Sequence, residues 1–175
     1  MILATLGTHP ARMRGVEDAL VAWSGRERVV LQAAADGTPV GVECVGIVRP
    51  SRLRALLAEA RLVVCHAGPA TVFECWEAGH RPLVVPRDPS RSEHVDDHQQ
   101  RFMRRLPSGL ITAVDPAGLV ASFECTPARL DARVQGSPAF THDFAALVDD
   151  VVAERRASVL RTLLQHARRW TDLRP

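Results

Sequence analysis

Most of the residues whose types and spacing could do chemistry lie in one stretch, 62–102, which reads LVVCHAGPATVFECWEAGHRPLVVPRDPSRSEHVDDHQQRF. An apolar run ends at His66, a turn follows at Gly68, and Pro69, Ala70 and Thr71 open a helical pattern. A helix start offers backbone N–H groups without intrahelical acceptors and the positive end of the dipole, which together suit a phosphate. Gly68 lets the backbone approach an anion, Pro69 suits the first helical turn, and the Thr71 hydroxyl adds a hydrogen bond. A plain tight turn with a capping Thr reads the same way. Glu74 follows Thr71 by three residues and so shares its helix face. There its carboxylate can accept both hydroxyls of a ribose, or simply complement the dipole. Farther on, Asp96 or Asp97 can cap a second helix, leaving Gln99 and Gln100 in its first turn, where amides suit sugar hydroxyls or solvent alike. His9, after the first apolar run and Gly7-Thr8, has the titration range of a general base or of a solvated turn histidine. His94 and His98 stand four apart beside Glu93 and Asp97, a spacing that on a helix would mimic a metal pair. With no third His near them in the sequence, no metal is expected.

These residues need elements to hold them. Short apolar runs recur at 2–6, 29–32, 42–48, 62–65, 83–85 and 110–114, most of them continuously apolar, as in strands buried on both faces. Between them come helical spacings: Val16, Leu20 and Trp23; Leu53, Leu56 and Leu57; Val72, Phe73 and Trp76; Phe102, Met103 and Leu106. This alternation predicts an α/β fold, a Rossmann-like doubly wound parallel sheet. In such sheets ligands bind at the carboxyl ends of the strands, which is where His66 and His9 fall. The expected organisation is an α/β domain over 1–125, a Pro/Gly-bearing connector over 126–140, and a long amphipathic C-terminal helix over 141–175. That helix carries its acids early and its arginines late, and would pack on the domain or on a partner.

The chain has 175 residues, 46% hydrophobic and 24% charged, enough for one unstapled core but not for two full domains. Its 22 basic residues, all arginine, against 20 acids give a formal charge of +2, which is no nucleic-acid signature. Four cysteines without a CxxC pair read as reduced thiols. No apolar run reaches the roughly 18 residues of a spanning helix, and the N-terminus opens on a strand. A cytoplasmic location is expected, with any membrane attachment peripheral.

HAGPATVFECWEAGHRPLVVP followed by EHVDDHQ resembles the C-terminal, nucleotide-sugar-binding domain of family 28 glycosyltransferases, and the opening ATLGTHP is similar to the first strand and glycine turn of its small stand-alone versions. Those versions are the catalytic half of the two-part N-acetylglucosaminyltransferase of dolichol-linked oligosaccharide synthesis and the PssE-type subunits of bacterial exopolysaccharide synthesis. The resemblance spans roughly residues 1–115. It implies the donor-binding half of a GT-B fold. Gly7, Thr8, His66, Gly68, Ala70 and Thr71 would face the donor diphosphate, Glu74 the ribose, and Gln99, with His98 or Gln100, the sugar. Two departures matter: Ala70 offers no side-chain hydrogen bond, and the loop at 47–50 has no aromatic residue to stack on uracil.

The resemblance implies the donor-binding catalytic subunit of a two-component inverting glycosyltransferase, a hexosyltransferase moving a sugar from a UDP-sugar to a lipid-linked acceptor in polysaccharide or glycolipid synthesis. His9 is the candidate base. No cofactor or metal is expected. A membrane-anchored PssD-type subunit would bind the acceptor and hold the chain at the inner face of the membrane. The alternative is a nucleotide-sugar-binding subunit without transferase activity. Arg87 and Arg91, read as loop residues, would suit an acidic sugar or solvent.

Overall fold

The computed structural model describes residues 1–34, 37–125 and 129–130, all within one compact unit, Met1–Gln135. The expected C-terminal helix lies outside the described residues, as does the expected connector apart from Arg129 and Leu130. These two pair with His80 and Gly79.

Among the described residues six strands form one parallel sheet: β1 (Ile2–Thr5), β2 (Val29–Gln32), β3 (Glu43–Cys44), β4 (Leu62–His66), β5 (Leu83–Val85) and β6 (Thr112–Ala113). Their order is β3-β2-β1-β4-β5-β6 and every pairing is parallel. The helices are α1 (Arg14–Trp23), α2 (Pro50–Glu59), α3 (Pro69–Glu77), α4 (His98–Arg105) and α5 (Leu119–Phe123), with 3-10 turns at Pro89–Arg91 and Pro116–Gly118. This is the doubly wound α/β sheet that the alternation predicts.

The continuously apolar runs do what such runs should. Every residue of β1, β2 and β5 is buried, as are Leu62 to Cys65 in β4. Ile2, Ala4, Leu31 and Val64 face one side of the sheet and pack with Val16, Leu20 and Trp23 of α1 and with Leu119 and Phe123 of α5. Trp23 meets Phe123 edge-on, with centroids 5.6 Å apart. The alternate residues face the opposite side, where Cys65 and Cys75 of α3 are both fully buried, and Cys75 together with burial pushes the Cys65 thiol pKa well up. All four cysteines are free thiols.

The two outer strands are shorter than their sequences suggest. The run at 42–48 yields a two-residue β3, because Gly41 and Gly46, on either side of it, take positive φ (76° and 61°) and turn the chain away from the sheet. Ile47 and Val48 are thereby released toward the ligand edge. The run at 110–114 narrows to β6, since Leu110 is already held in a turn by a bond from its N–H to the Pro107 carbonyl, 2.9 Å. A short edge strand presents few unpaired groups to another chain.

Candidate functional site

With this strand order the chain leaves the sheet in opposite directions after β1 and after β4. Such a topological switch point opens a crevice at the carboxyl ends of the two strands. A cleft of about 370 Å³ lies there, within the range of small-molecule sites. Gly7, Thr8, His66, Gly68, Ala70, Thr71 and Glu74 all line it, joined by Thr5, Gln32, Ile47, Val48, Pro50, Leu53 and Pro69. Seven residues expected to face one ligand, from two segments of the chain, thus line one cleft.

Two glycines hold His66. Gly7 has φ of +74°, a conformation that favours glycine. A Cβ on Gly7 would come 2.7 Å from His66 Cε1, and one on Gly68 would collide with Nε2. The imidazole therefore fills a slot that exists because neither neighbour has a side chain. Burial, with the charge of Arg87 adding to it, lowers the His66 pKa from its ordinary value to about 4. The ring is neutral at physiological pH. Its Nδ1 lies 3.5 Å from the Thr5 carbonyl, a long contact that a proton on Nδ1 would satisfy. Positive potential at this turn comes from the start of α3 and from the nearby Arg87 guanidinium, and not from an imidazolium.

That start is open. Gly68 is the N-cap and makes no side-chain cap bond, Pro69 has no N–H, and the N–H groups of Ala70 and Thr71 fall in the first turn, where no intrahelical acceptor exists. Glu74 stands one turn in, half-buried. Burial raises its pKa, with Glu77 adding to the shift and Arg54 opposing it. Its carboxylate makes no side-chain hydrogen bond or ion pair among the described residues. At the opposite wall Ile47, Val48, Pro50 and Leu53 form an apolar surface, and Ile47 is 66% exposed. An aliphatic platform thus stands where no aromatic is available.

The residues expected at the sugar are dispersed. Gln99 is buried, and its side-chain carbonyl accepts the Arg87 backbone N–H at 3.1 Å. Gln100 lines a separate recess of about 210 Å³ with Asp88, Arg91, Met103, Arg104 and Asp115. His98 contacts Asp96, whose Oδ1 accepts the His98 backbone N–H at 3.1 Å, so Asp96 and not Asp97 bonds to the first turn of α4. None of the three lines the cleft. His9 is half-buried, and its Nδ1 accepts the Ala11 N–H at 3.2 Å. In the neutral ring this places the proton on Nε2, so the free nitrogen is a donor, the reverse of what a base needs.

Arg87 corrects the sequence reading most sharply. It is 1% exposed and lies under the site instead of in a solvated loop. Its guanidinium donates to the carbonyls of Leu6 (2.9 Å), Ala11 (2.6 Å) and Glu93 (3.2 Å), fastening the turn after β1 to the segment after β5. Burial pulls its pKa below the usual guanidinium value, but not far enough to discharge it. Arg91 is about half exposed and lies near Asp88. Thr5 and Gln32 were also missed. The Thr5 hydroxyl donates to the Gln32 side chain at 2.7 Å, and Gln32 reaches the Gly7 carbonyl at 3.4 Å. A polar residue closing the buried run VVLQ is the signal that could have found Gln32.

Part of the chain, including the α3 turn, is similar to known proteins. Residues 48–113 match the glycosyltransferase family 28 C-terminal domain. The UDP-N-acetylglucosamine--N-acetylmuramyl-(pentapeptide) pyrophosphoryl-undecaprenol N-acetylglucosamine transferase of Neisseria gonorrhoeae (strain NCCP11945) is 37% identical over 92 residues, covering 50% of this chain and 24% of that protein. The enzyme of the same name from Azoarcus sp. (strain BH72) is 34% identical over 132 residues, covering 67% and 35%. The chain therefore spans about a quarter to a third of the length of the curated relatives it matches. Among solved structures, the glycotransferase of kitacinnamycin aligns over 92% of this chain and 42% of its own (19% identity, TM-score 0.49). Acinetobacter baumannii MurG aligns over 70% and 39% (19% identity, TM-score 0.45). The family match takes in the His66 turn, Glu74 and the start of α4, while Gly7, Thr8 and His9 precede it. Over residues 48–113 the chain is therefore similar to the glycosyltransferase family 28 C-terminal domain.

Proposed function

We propose that this chain binds a UDP-sugar in the cleft between β1 and β4 and is the donor-binding catalytic subunit of a two-component inverting glycosyltransferase. The observation that carries the reading is the convergence in one cleft of the open α3 start, the Glu74 carboxylate, which has no side-chain partner among the described residues, and the apolar wall at 47–53. The relatives are named for a UDP-N-acetylglucosamine donor and a pyrophosphoryl-undecaprenol acceptor, which supports a UDP-sugar and a lipid-linked acceptor here, in polysaccharide or glycolipid synthesis. A membrane-anchored, PssD-type acceptor-binding partner would supply the other half and hold the chain at the inner face of the membrane. No helix among the described residues is long and apolar enough to cross a membrane.

In this reading the Ala70 and Thr71 N–H groups meet the diphosphate. As the acceptor hydroxyl attacks the anomeric carbon, charge grows on the leaving phosphate, and fixed N–H donors with the α3 dipole stabilise it more than they do the ground state. Glu74 accepts the two ribose hydroxyls, and the aliphatic wall covers one face of the base. This chemistry asks for no metal. The tautomer of His9 favours a second reading, a nucleotide-sugar-binding subunit whose base comes from elsewhere or is absent.

The test is Glu74→Ala. Titration of UDP by calorimetry should show affinity falling by about tenfold to a hundredfold, the worth of one or two charge-assisted hydrogen bonds, with an unchanged circular dichroism spectrum. UDP affinity equal to that of the unmodified chain overturns the ribose assignment.

A further inference from the structure

Two imidazoles and a carboxylate meet in the segment between the Pro89–Arg91 turn and α4, apart from the donor cleft. A four-residue spacing would place His94 and His98 on one helix, but α4 begins at His98 and His94 sits in the chain before it. The turn itself brings them together, with ring centroids 4.4 Å apart and planes at 80°. Asp96 presents the same oxygen to both rings. Its Oδ1 contacts His98 Nδ1 and lies 3.6 Å from His94 Nδ1. One possible ligand atom from each of His94, Asp96 and His98 falls within 4.8 Å of the other two.

A second, independent observation points to an occupant. His94 Nδ1 is buried and has no hydrogen-bond partner among the described residues, and its side chain is 15% exposed. Buried polar atoms are almost always satisfied, and an orphan calls for an absent ion or water. Its 3.6 Å distance from Asp96 Oδ1 is too long for a hydrogen bond. It is close to the separation of about 3.3 Å between neighbouring ligands on a tetrahedral ion with bonds of about 2.0–2.1 Å, while Asp96 Oδ1 and His98 Nδ1 are in direct hydrogen-bond contact, which a bound ion would replace.

We propose that His94, Asp96 and His98 bind a divalent first-row transition ion, with Zn²⁺ the best fit and water completing the coordination. Two imidazole nitrogens and one carboxylate oxygen suit Zn²⁺ or Co²⁺, whereas Mg²⁺ and Ca²⁺ take oxygen ligands. His9 forms a wall of the site and not a ligand. Its ring lies 4.7 Å from that of His94, and its Nδ1 is engaged with the Ala11 N–H. The ion would clamp the 94–98 turn into the geometry from which α4 starts and Gln99 reaches Arg87. It has no part in the chemistry of sugar transfer, and the proposal stands whether or not the donor assignment does.

The experiment is titration of the chelator-stripped full chain with ZnCl₂ near neutral pH by calorimetry, followed by Co²⁺ loading. One site of micromolar affinity or tighter is expected, weakened about a hundredfold or more in His94→Ala/His98→Ala and reduced in Asp96→Asn. The Co²⁺ form of the unmodified chain should show visible d–d bands without thiolate charge-transfer absorption, which reads the ligand set without any variant. No uptake, a thiolate band, or unchanged affinity in the double variant overturns the site.

Discussion

His66 lies in a slot made by two missing side chains, and the slot sets its titration. Folding lowers its pKa from 6.5 to about 4, so between these values the unfolded chain takes up a proton that the folded chain refuses. The contribution to stability is fully present above pH 6.5 and is lost as pH falls toward 4. A shift of this size is worth at most about 3 kcal/mol. The expected outcome is a urea midpoint that drops between pH 7 and pH 4.5, with a shallower drop in His66→Asn. Parallel pH profiles for the two proteins would contradict the buried, neutral imidazole. The same slot explains why the site turn was legible in sequence while the state of its histidine was not. HAG marks a strand giving way to a helix, but the second glycine that closes on the ring is Gly7, 59 positions upstream, and only folding brings it there.

Among the elements, the central strands were legible and the edges were not. β1, β2, β4 and β5 read as continuous apolar runs because both faces are covered, whereas the runs at 42–48 and 110–114 are apolar for reasons beyond pairing. The first delivers Ile47 and Val48 to the wall of the cleft, and the second begins in a turn. α5 escaped notice because five residues carry too little periodicity, yet Leu119 and Phe123 are fully buried against α1. Arg87 looked solvated because its neighbours in sequence are polar, but its partners are carbonyls 76 and 81 residues away. It joins the turn after β1 to the segment after β5, and no other side chain has its planar fork of donors. Arg87→Lys should lower stability by about 2–4 kcal/mol, since at least two buried carbonyls lose a charged donor. Chemical denaturation measures this loss, and a change under about 0.5 kcal/mol would show that the guanidinium holds nothing.

At the scale of the whole molecule, the described residues form one parallel α/β unit, and the chain matches a fraction of its relatives' length. The expectation of a second component belongs here and cannot be assigned to any residue. UDP should bind the isolated chain, while sugar transfer to a lipid-linked acceptor should rise at least about a hundredfold when a membrane-anchored acceptor-binding subunit is co-expressed. Transfer at the same rate without it would remove the two-component reading and leave the donor reading intact.

The sheet order carries a further consequence, for the order of events in folding. β1 is the first strand in the chain but a central one in the sheet, and its two partners begin at Val29 and Leu62. The strand pair that creates the crevice cannot form until the fourth strand has been synthesised. Through that interval the apolar ILAT segment has one neighbour at most, and its unpaired edge is open to other chains. Such long-range parallel closure is slow, so the protein should be most prone to aggregate as a nascent chain that has made β2 and not yet β4.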